Sequence, residues 1–105
     1  AKATELAGTT AGGGGGNSAE AAYNQGVVLF NAGKYADAKT QFDTATKADP
    51  NNAGAFYQLG MTSLNLGQIP DAISALQTFL KLAPNDPKAA QVQSSLPALQ
   101  QMLPK

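Results

Sequence analysis

The chain has 105 residues, enough for one domain with one modest core, and its seven lysines balance seven acidic residues. Arginine is absent, and seven scattered lysines do not form the basic cluster that nucleic-acid phosphates or an anionic membrane surface require. Cysteine and histidine are also absent, so we expect no disulfide, no metal site, no cofactor and no enzymatic activity.

Residues 1–18 differ in composition from the rest of the chain, because they contain a run of glycines and one large apolar residue, Leu6. Glycine has no side chain to bury, so residues 1–18 are predicted to form a flexible Gly-rich linker. In an alternative, the segment 4–6 docks on the folded part. The chain opens with neither an initiator Met nor a signal-peptide pattern, so we expect a mature or excised piece of a longer protein.

A first helix is predicted over residues 19–32. Asn17 is expected to cap its N-terminus, with Glu20 as the reciprocal partner three residues on. The helix is expected to end at Gly33, where the chain favours a residue in left-handed geometry.

The second helix is predicted over residues 35–48, because Pro50 disfavours helical geometry in the residue before it. Residues 53–86 repeat this arrangement of two helices, with stops at Gly67 and Pro84. Each block therefore predicts a helix hairpin.

A fifth helix is predicted from about Lys88 to Leu103, with Asp86 as its cap and Pro87 at its first position. Pro97 lies inside this pattern and removes one backbone hydrogen bond. We expect it to kink the helix or to split it.

The two blocks match place by place over a 34-residue period without a gap. The matching pairs are Tyr23 and Tyr57, Gly26 and Gly60, Gly33 and Gly67, Asp37 and Asp71, Ala38 and Ala72, Lys47 and Lys81, and Pro50 and Pro84. Such self-similarity is the signature of a repeat protein. The sequence predicts one all-α domain over 19–105, with repeat one at 19–52, repeat two at 53–86 and a capping helix at 87–103.

The period and the small residues at fixed places resemble the tetratricopeptide repeat family. The residues that carry the resemblance are Gly26, Ala38, Ala45 and Pro50 in the first block and Gly60, Ala72 and Pro84 in the second. The resemblance implies a right-handed superhelical array of helix-turn-helix repeats, an α-solenoid of about five helices. Ala22 and Ala45 stand where the family often has larger residues, which predicts a lightly packed first hairpin, open to a neighbour on its N-terminal side.

Small residues at these places predict close approach of the two helices within each hairpin, near the lower end of the usual spacing of about 8–10 Å. Larger apolar residues are expected to fill the space between the hairpins, namely Leu29, Phe42, Phe56 and Leu76. Since two repeats are near the lower limit for independent stability, the capping helix is expected to close the open apolar face.

The first helix of each block carries more apolar residues than one buried face needs. A second apolar stripe follows at helical spacing, and a helix that is apolar on two sides must be covered twice or expose a binding surface. In the family this second face lines the concave groove that holds a partner peptide. The resemblance therefore implies a groove formed by Tyr23, Val27, Phe30, Tyr57, Met61 and Leu64, with the amides Asn24, Asn31, Gln58 and Asn65.

Two interpretations of the stripe stay open at this point. Its residues either belong to the scaffold and are covered by adjacent helices, or form a shallow groove for an apolar or amphipathic segment. Chaperone-binding members of the family clamp a carboxylate with lysine, arginine and asparagine. We do not expect clamping here, because the corresponding places hold Tyr23, Val27, Asn24 and Gln58.

Other motifs are weak. The glycine run 12–16 precedes a helix, as in a phosphate-binding loop, but lacks the Gly-Lys-Ser/Thr ending. The turns around Pro50 and Pro84 lack the alternating acidic residues and the final Glu of a calcium loop. Asp37 and Asp71, which the repeat relates, are interpreted as surface charges.

The sequence therefore predicts a protein-interaction module, part of a larger protein, that binds a partner peptide or helix. The alternative is a structural role, in which the apolar faces pair two copies or pack on neighbouring domains of the same chain. Membrane insertion is not expected, because polar side chains interrupt the uncharged stretch 50–70. The composition favours an exported or periplasmic bacterial protein, with a cytoplasmic one as the alternative.

Overall fold

The computed structural model of the protein describes residues 15–103, with side chains from residue 18 onward. Five helices follow one another, and their bounds are α1 Gly15–Asn31, α2 Tyr35–Ala48, α3 Ala53–Asn65, α4 Ile69–Leu82 and α5 Ala89–Gln101. Within residues 15–103 there is no strand, so the all-α prediction is confirmed for this part of the chain.

Two helix hairpins, α1 with α2 and α3 with α4, form the body of the fold, and each closes on a glycine. Gly33 has φ 80° and Gly67 has φ 76°, the left-handed geometry that residues with a side chain adopt only at a cost. The backbone N–H of Lys34 then donates to the Leu29 carbonyl at 2.8 Å. This pattern uses carbonyls that the helix end leaves unpaired, so both predicted stops are confirmed.

A side-chain cap begins α3, whereas the N-cap residue of α5 is Lys88, without a side-chain cap hydrogen bond, and not the predicted Asp86. The Asn52 side chain accepts a hydrogen bond from the Ala55 N–H at 3.1 Å and caps α3. Asp86 Oδ1 accepts from the Lys88 N–H at 2.8 Å in the turn that leads into α5. The helix itself begins at Ala89, two residues after the predicted first position.

The predicted start of α1 is wrong. Helix α1 begins at Gly15, so Asn17 lies inside the helix rather than at its N-terminal cap. A nucleated helix gains one hydrogen bond per added residue, and it extends into glycine at a cost of about 1 kcal/mol per residue relative to alanine. The rest of the predicted linker, including the segment 4–6, lies outside the described residues.

Helix α5 runs through Pro97 to Gln101, so the predicted split does not occur. Leu96 and Leu99, on either side of the proline, are both buried in the main apolar cluster. Their packing against α4 holds the two turns in one helix although Pro97 lacks an N–H.

The core is uneven. Its main cluster joins α4 to α5 and consists of Ile73, Leu76, Phe79, Ala89, Val92, Leu96 and Leu99. A smaller cluster in the first hairpin contains Ala22, Ala45 and Ala55, with Tyr23 packed against it. Because α5 supplies four of the seven residues in the main cluster, it covers the apolar face of the second hairpin.

Within each hairpin, a glycine on the first helix admits a large side chain from the second. Phe42 lies against Gly26, and Leu76 lies against Gly60. The prediction that Phe42 and Leu76 fill the space between the hairpins is therefore wrong. Phe56 does lie at the boundary, where it lines a cavity between α2 and α4 together with Lys39.

Candidate functional site

The six apolar residues of the predicted groove lie in equivalent places on α1 and α3. All six are half-buried, and none is either fully buried or fully exposed. Their spacing of three and four residues puts the three members on each helix along one side of that helix. Each side chain therefore has one part in contact with the scaffold and another part in contact with solvent.

Tyr23 lies at the junction of three helices. Its ring meets the edge of the Phe42 ring, with centroids 6.0 Å apart and an interplanar angle of 63°. Its hydroxyl lies 3.7 Å from the position that a β-carbon on Gly54 would take, at the start of α3. The Tyr23 ring therefore packs against α2 and lies close to the start of α3, and the side chain is half-buried.

Tyr57 occupies the equivalent junction in the second repeat. Its ring centroid is 5.3 Å from that of Phe79, and the Lys88 ammonium lies over its other side, 5.4 Å from the centroid. Lys88 follows Gly54 by the same 34 residues that relate the two tyrosines. The start of α5 therefore meets Tyr57 as the start of α3 meets Tyr23.

Phe30 and Leu64 lie at the far end of the stripe, near the hairpin turns. The Phe30 ring packs on the ring of Tyr35, the first residue of α2, with centroids 5.1 Å apart. In the second repeat Leu64 and Ile69 pack against the main cluster. Both side chains at this end of the stripe are therefore packed against other parts of the fold.

The amide side chains beside the stripe differ in their engagement. Asn24, Asn31 and Asn65 are exposed and Gln58 is half-buried. Asn65 Nδ2 donates to the Met61 carbonyl at 2.9 Å, so part of its hydrogen-bonding capacity serves its own helix. The exposed side-chain amides of Asn24 and Asn31 can both donate and accept hydrogen bonds.

The predicted groove residues carry no charged side chain, so the surface offers apolar contact and amide hydrogen bonds. Among residues 18–103, no group of three or more acidic side chains is placed to hold a metal ion. In the described part of the chain, no helix combines the length and the apolar character needed to cross a membrane.

Sequence reasoning missed an ion pair that joins the two hairpins. Lys39 Nζ on α2 lies 2.7 Å from Asp71 Oδ2 on α4 and also bonds the Gln68 side chain. The pair borders an open cavity of about 290 Å³ whose floor includes Phe56 and Leu59. The residues around Lys39 and Asp71 do not predict this ion pair, because the two residues are far apart in sequence. In the first repeat, no lysine stands at the place from which it could pair with Asp37.

The sequence also gave no indication of an exposed valine. Val28 on α1 is 66% exposed, although the neighbouring Val27 and Leu29 are half-buried. A run of three apolar residues in a helix points in three directions, about 100° apart, so one of them must leave both apolar stripes.

A comparison with curated proteins gives no match to the chain. A family model described as tetratricopeptide repeat matches residues 23–90, which is more than half of the chain. The matched region contains α2, α3 and α4 completely, together with both left-handed glycines and both junction tyrosines. The chain thus belongs to the tetratricopeptide repeat family, whose repeats generally mediate protein–protein interaction.

Proposed function

We propose that α1 and α3 form a concave groove that binds an extended or helical segment of a partner protein, and that the chain is a binding module without catalytic activity. One observation carries the proposal. Six large apolar side chains occupy equivalent places on two adjacent repeats, and every one of them remains partly exposed. Contiguous apolar surface of this kind is typical of protein-binding sites.

Rigid anchors support this function. Phe42 holds the Tyr23 ring and Phe79 holds the Tyr57 ring, so both tyrosines lose little side-chain freedom when a ligand binds. Immobilising a flexible side chain costs about 0.5–1.5 kcal/mol, so two aromatic rings that are already fixed favour affinity. Tyrosine is also enriched among the residues that dominate binding energy at interfaces.

The partner segment is expected to be apolar or amphipathic and largely uncharged where it contacts the groove. None of the ten groove residues carries a charge, so a charged ligand side chain that lies away from Lys88, next to Tyr57, would lose water without gaining a counter-ion. The side-chain amides of Asn24 and Asn31 form hydrogen bonds with the backbone of the bound segment. Affinity should depend little on salt, because screening acts on charges.

Displayed peptide libraries selected on the full chain provide ligands for a quantitative test. The groove variant is Asn24→Lys with Asn31→Lys, which adds charge beside the stripe without changing a buried residue. The matched control is Gln77→Lys with Gln93→Lys, two exposed glutamines on α4 and α5. Circular dichroism verifies that both variants keep the fold.

Fluorescence anisotropy with a selected peptide should show at least about tenfold weaker binding to the groove variant, which corresponds to 1.4 kcal/mol. The control variant should bind the peptide as the unmodified chain does. Equal binding by the two variants would show that the peptide uses another surface and that the groove assignment is wrong.

A further inference from the structure

A second exposed stripe on α1 lies on a different side from the predicted groove. Ala21, Gln25, Val28 and Ala32 follow one another at helical spacing, and all four are exposed. Val28 is the most exposed large apolar residue of the described chain, at 66%. We call this stripe, together with Asp37 at the start of α2, the end face.

The second repeat shows how the surface equivalent to the end face is covered. Its counterparts on α3 are Ala55, Leu59, Thr62 and Leu66, each 34 residues later. Ala55 and Thr62 are 0% exposed, and Leu59 and Leu66 are half-buried. Ala55 clusters with Ala45 of α2, and Leu59 lines a cavity with Lys39 of α2. In the second repeat, therefore, a preceding helix covers this side.

The charges of the two repeats agree with this comparison. Lys39 of the covering helix α2 pairs with Asp71 at 2.7 Å. Asp37 is the counterpart of Asp71, is exposed, and has no ion pair among residues 18–103. The end face thus presents a carboxylate at the place where the second repeat receives a lysine.

The residues that precede α1 do not repeat the sequence of α2. In the 34-residue register, the segment 1–14 corresponds to α2, but Glu5 takes the place of Lys39 and Gly8 takes the place of Phe42. A glutamate would repel Asp37 instead of pairing with it. In this register the segment 1–14 therefore does not carry the complement of the end face.

We propose that the end face is a docking surface for an amphipathic helix of another protein, with a lysine at the edge of its apolar stripe. The small residues Ala21 and Ala32 let a helix backbone approach closely, and Val28 between them offers an apolar contact. Asp37 fixes the register of that helix through the lysine, as Asp71 does for α2. This surface is distinct from the groove, so its occupation does not depend on the function proposed above.

The test uses the helix that covers the equivalent side within the chain itself. A hydrocarbon-stapled peptide with the sequence of residues 34–49 is titrated into the 15N-labelled full chain. The expected result is saturable shifts of the amide signals of Gln25, Val28 and Asp37, with the signals of Asn24 and Gln58 unchanged. Val28→Asp should abolish these shifts while the circular dichroism spectrum is kept, because Val28 is exposed.

A charge exchange identifies the lysine contact. Asp37→Lys should weaken peptide binding about fivefold, the effect of losing one ion pair of about 1 kcal/mol. A peptide that carries Lys39→Asp should restore binding to this variant. Glu20→Lys, the same charge change on the groove side of α1, should leave binding unchanged.

Four outcomes would overturn the proposal. The peptide could cause no shifts, or it could shift only groove signals, and in either case the end face does not bind this helix. Alternatively, the end-face signals of the chain alone could move on dilution, which would identify a second copy of the chain as the occupant. Equal binding before and after the charge exchange would show that the partner helix needs no lysine opposite Asp37.

Discussion

The Phe42 ring occupies the space in which a β-carbon on Gly26 would lie, with its nearest ring atom 2.5 Å from that position. The same relation joins Gly60 and Leu76, whose nearest side-chain atoms lie 2.6 Å from the corresponding position. The absence of a side chain at Gly26 and at Gly60 thus sets how closely the two helices of each hairpin pack. It also fixes Phe42, which in turn supports Tyr23 in the predicted groove.

Gly26→Ala is expected to destabilise the chain by about 1–3 kcal/mol, because the new methyl group must displace a fully buried ring. Gly54→Ala is the matched control, since its β-carbon would meet no atom closer than 3.4 Å. The control should gain up to about 1 kcal/mol from helix propensity. Urea denaturation followed by circular dichroism measures both variants, and a stabilised Gly26→Ala would refute the packing relation.

Ser63→Ala is expected to stabilise the chain. Ser63 is fully buried, and its hydroxyl has no hydrogen-bond partner among the described residues. A buried unpaired polar group costs about 1–3 kcal/mol, part of which the substitution recovers. Ser94→Ala makes the same change at an exposed helical position, where the hydroxyl bonds the Ala90 carbonyl at 3.0 Å.

The comparison of the two serine variants removes the contribution of helix propensity, which both substitutions share. Ser63→Ala should raise the urea midpoint more than Ser94→Ala, by about 1 kcal/mol in the free energy of unfolding. If the two changes are equal, the Ser63 hydroxyl has a partner after all, such as a bound water.

Lys39→Ala and Asp71→Asn are expected to show a coupling of about 0.5–1 kcal/mol in a double-mutant cycle. The Asp71 side chain is 60% exposed, so the coupling energy should be smaller in 1 M salt than at low salt. Asp37→Asn is the control, because Asp37 holds the same place without an ion pair in the described part of the chain. A coupling of zero at low salt would mean that the pair does not hold the hairpins together.

Leu96→Ala is expected to cost about 2–4 kcal/mol, because the side chain is 9% exposed and belongs to the main cluster. Small domains have little stability to lose, so thermal denaturation should begin at a much lower temperature. Met102→Ala, at a 62% exposed position just after α5, should change stability by less than about 0.5 kcal/mol. If Leu96→Ala is as mild as the control, α5 is not the cap of the second hairpin.

Local chemistry predicts most of the helix bounds. Gly33, Gly67 and the prolines of the inter-repeat turns act within a few residues, so the bounds of α2 and α4 follow from the sequence with small errors. Pro97 shows the limit of this reasoning. Its local effect is to interrupt a helix, but buried leucines on both sides keep α5 continuous.

The candidate site is less predictable because it depends on neighbours distant in the chain. Periodicity places Tyr23 and Tyr57 on one stripe, but it cannot show that Phe42 and Phe79 contact their rings. The same reasoning overlooked Val28, which is 66% exposed although its counterpart Thr62 is 0% exposed. Once the packing is known, a comparison of the two repeats reveals this difference in exposure.

The two methionines provide the most direct test of groove binding. Met61 lies on the predicted groove stripe and is half-buried, whereas Met102 is 62% exposed just after α5. Methionine oxidation by peroxide follows the access of solvent to sulfur, and mass spectrometry resolves the two sites in one sample. A peptide selected on the full chain should slow the oxidation of Met61 several-fold and leave that of Met102 unchanged. Protection of Met102 alone, or of neither methionine under saturating peptide, would contradict binding in the groove.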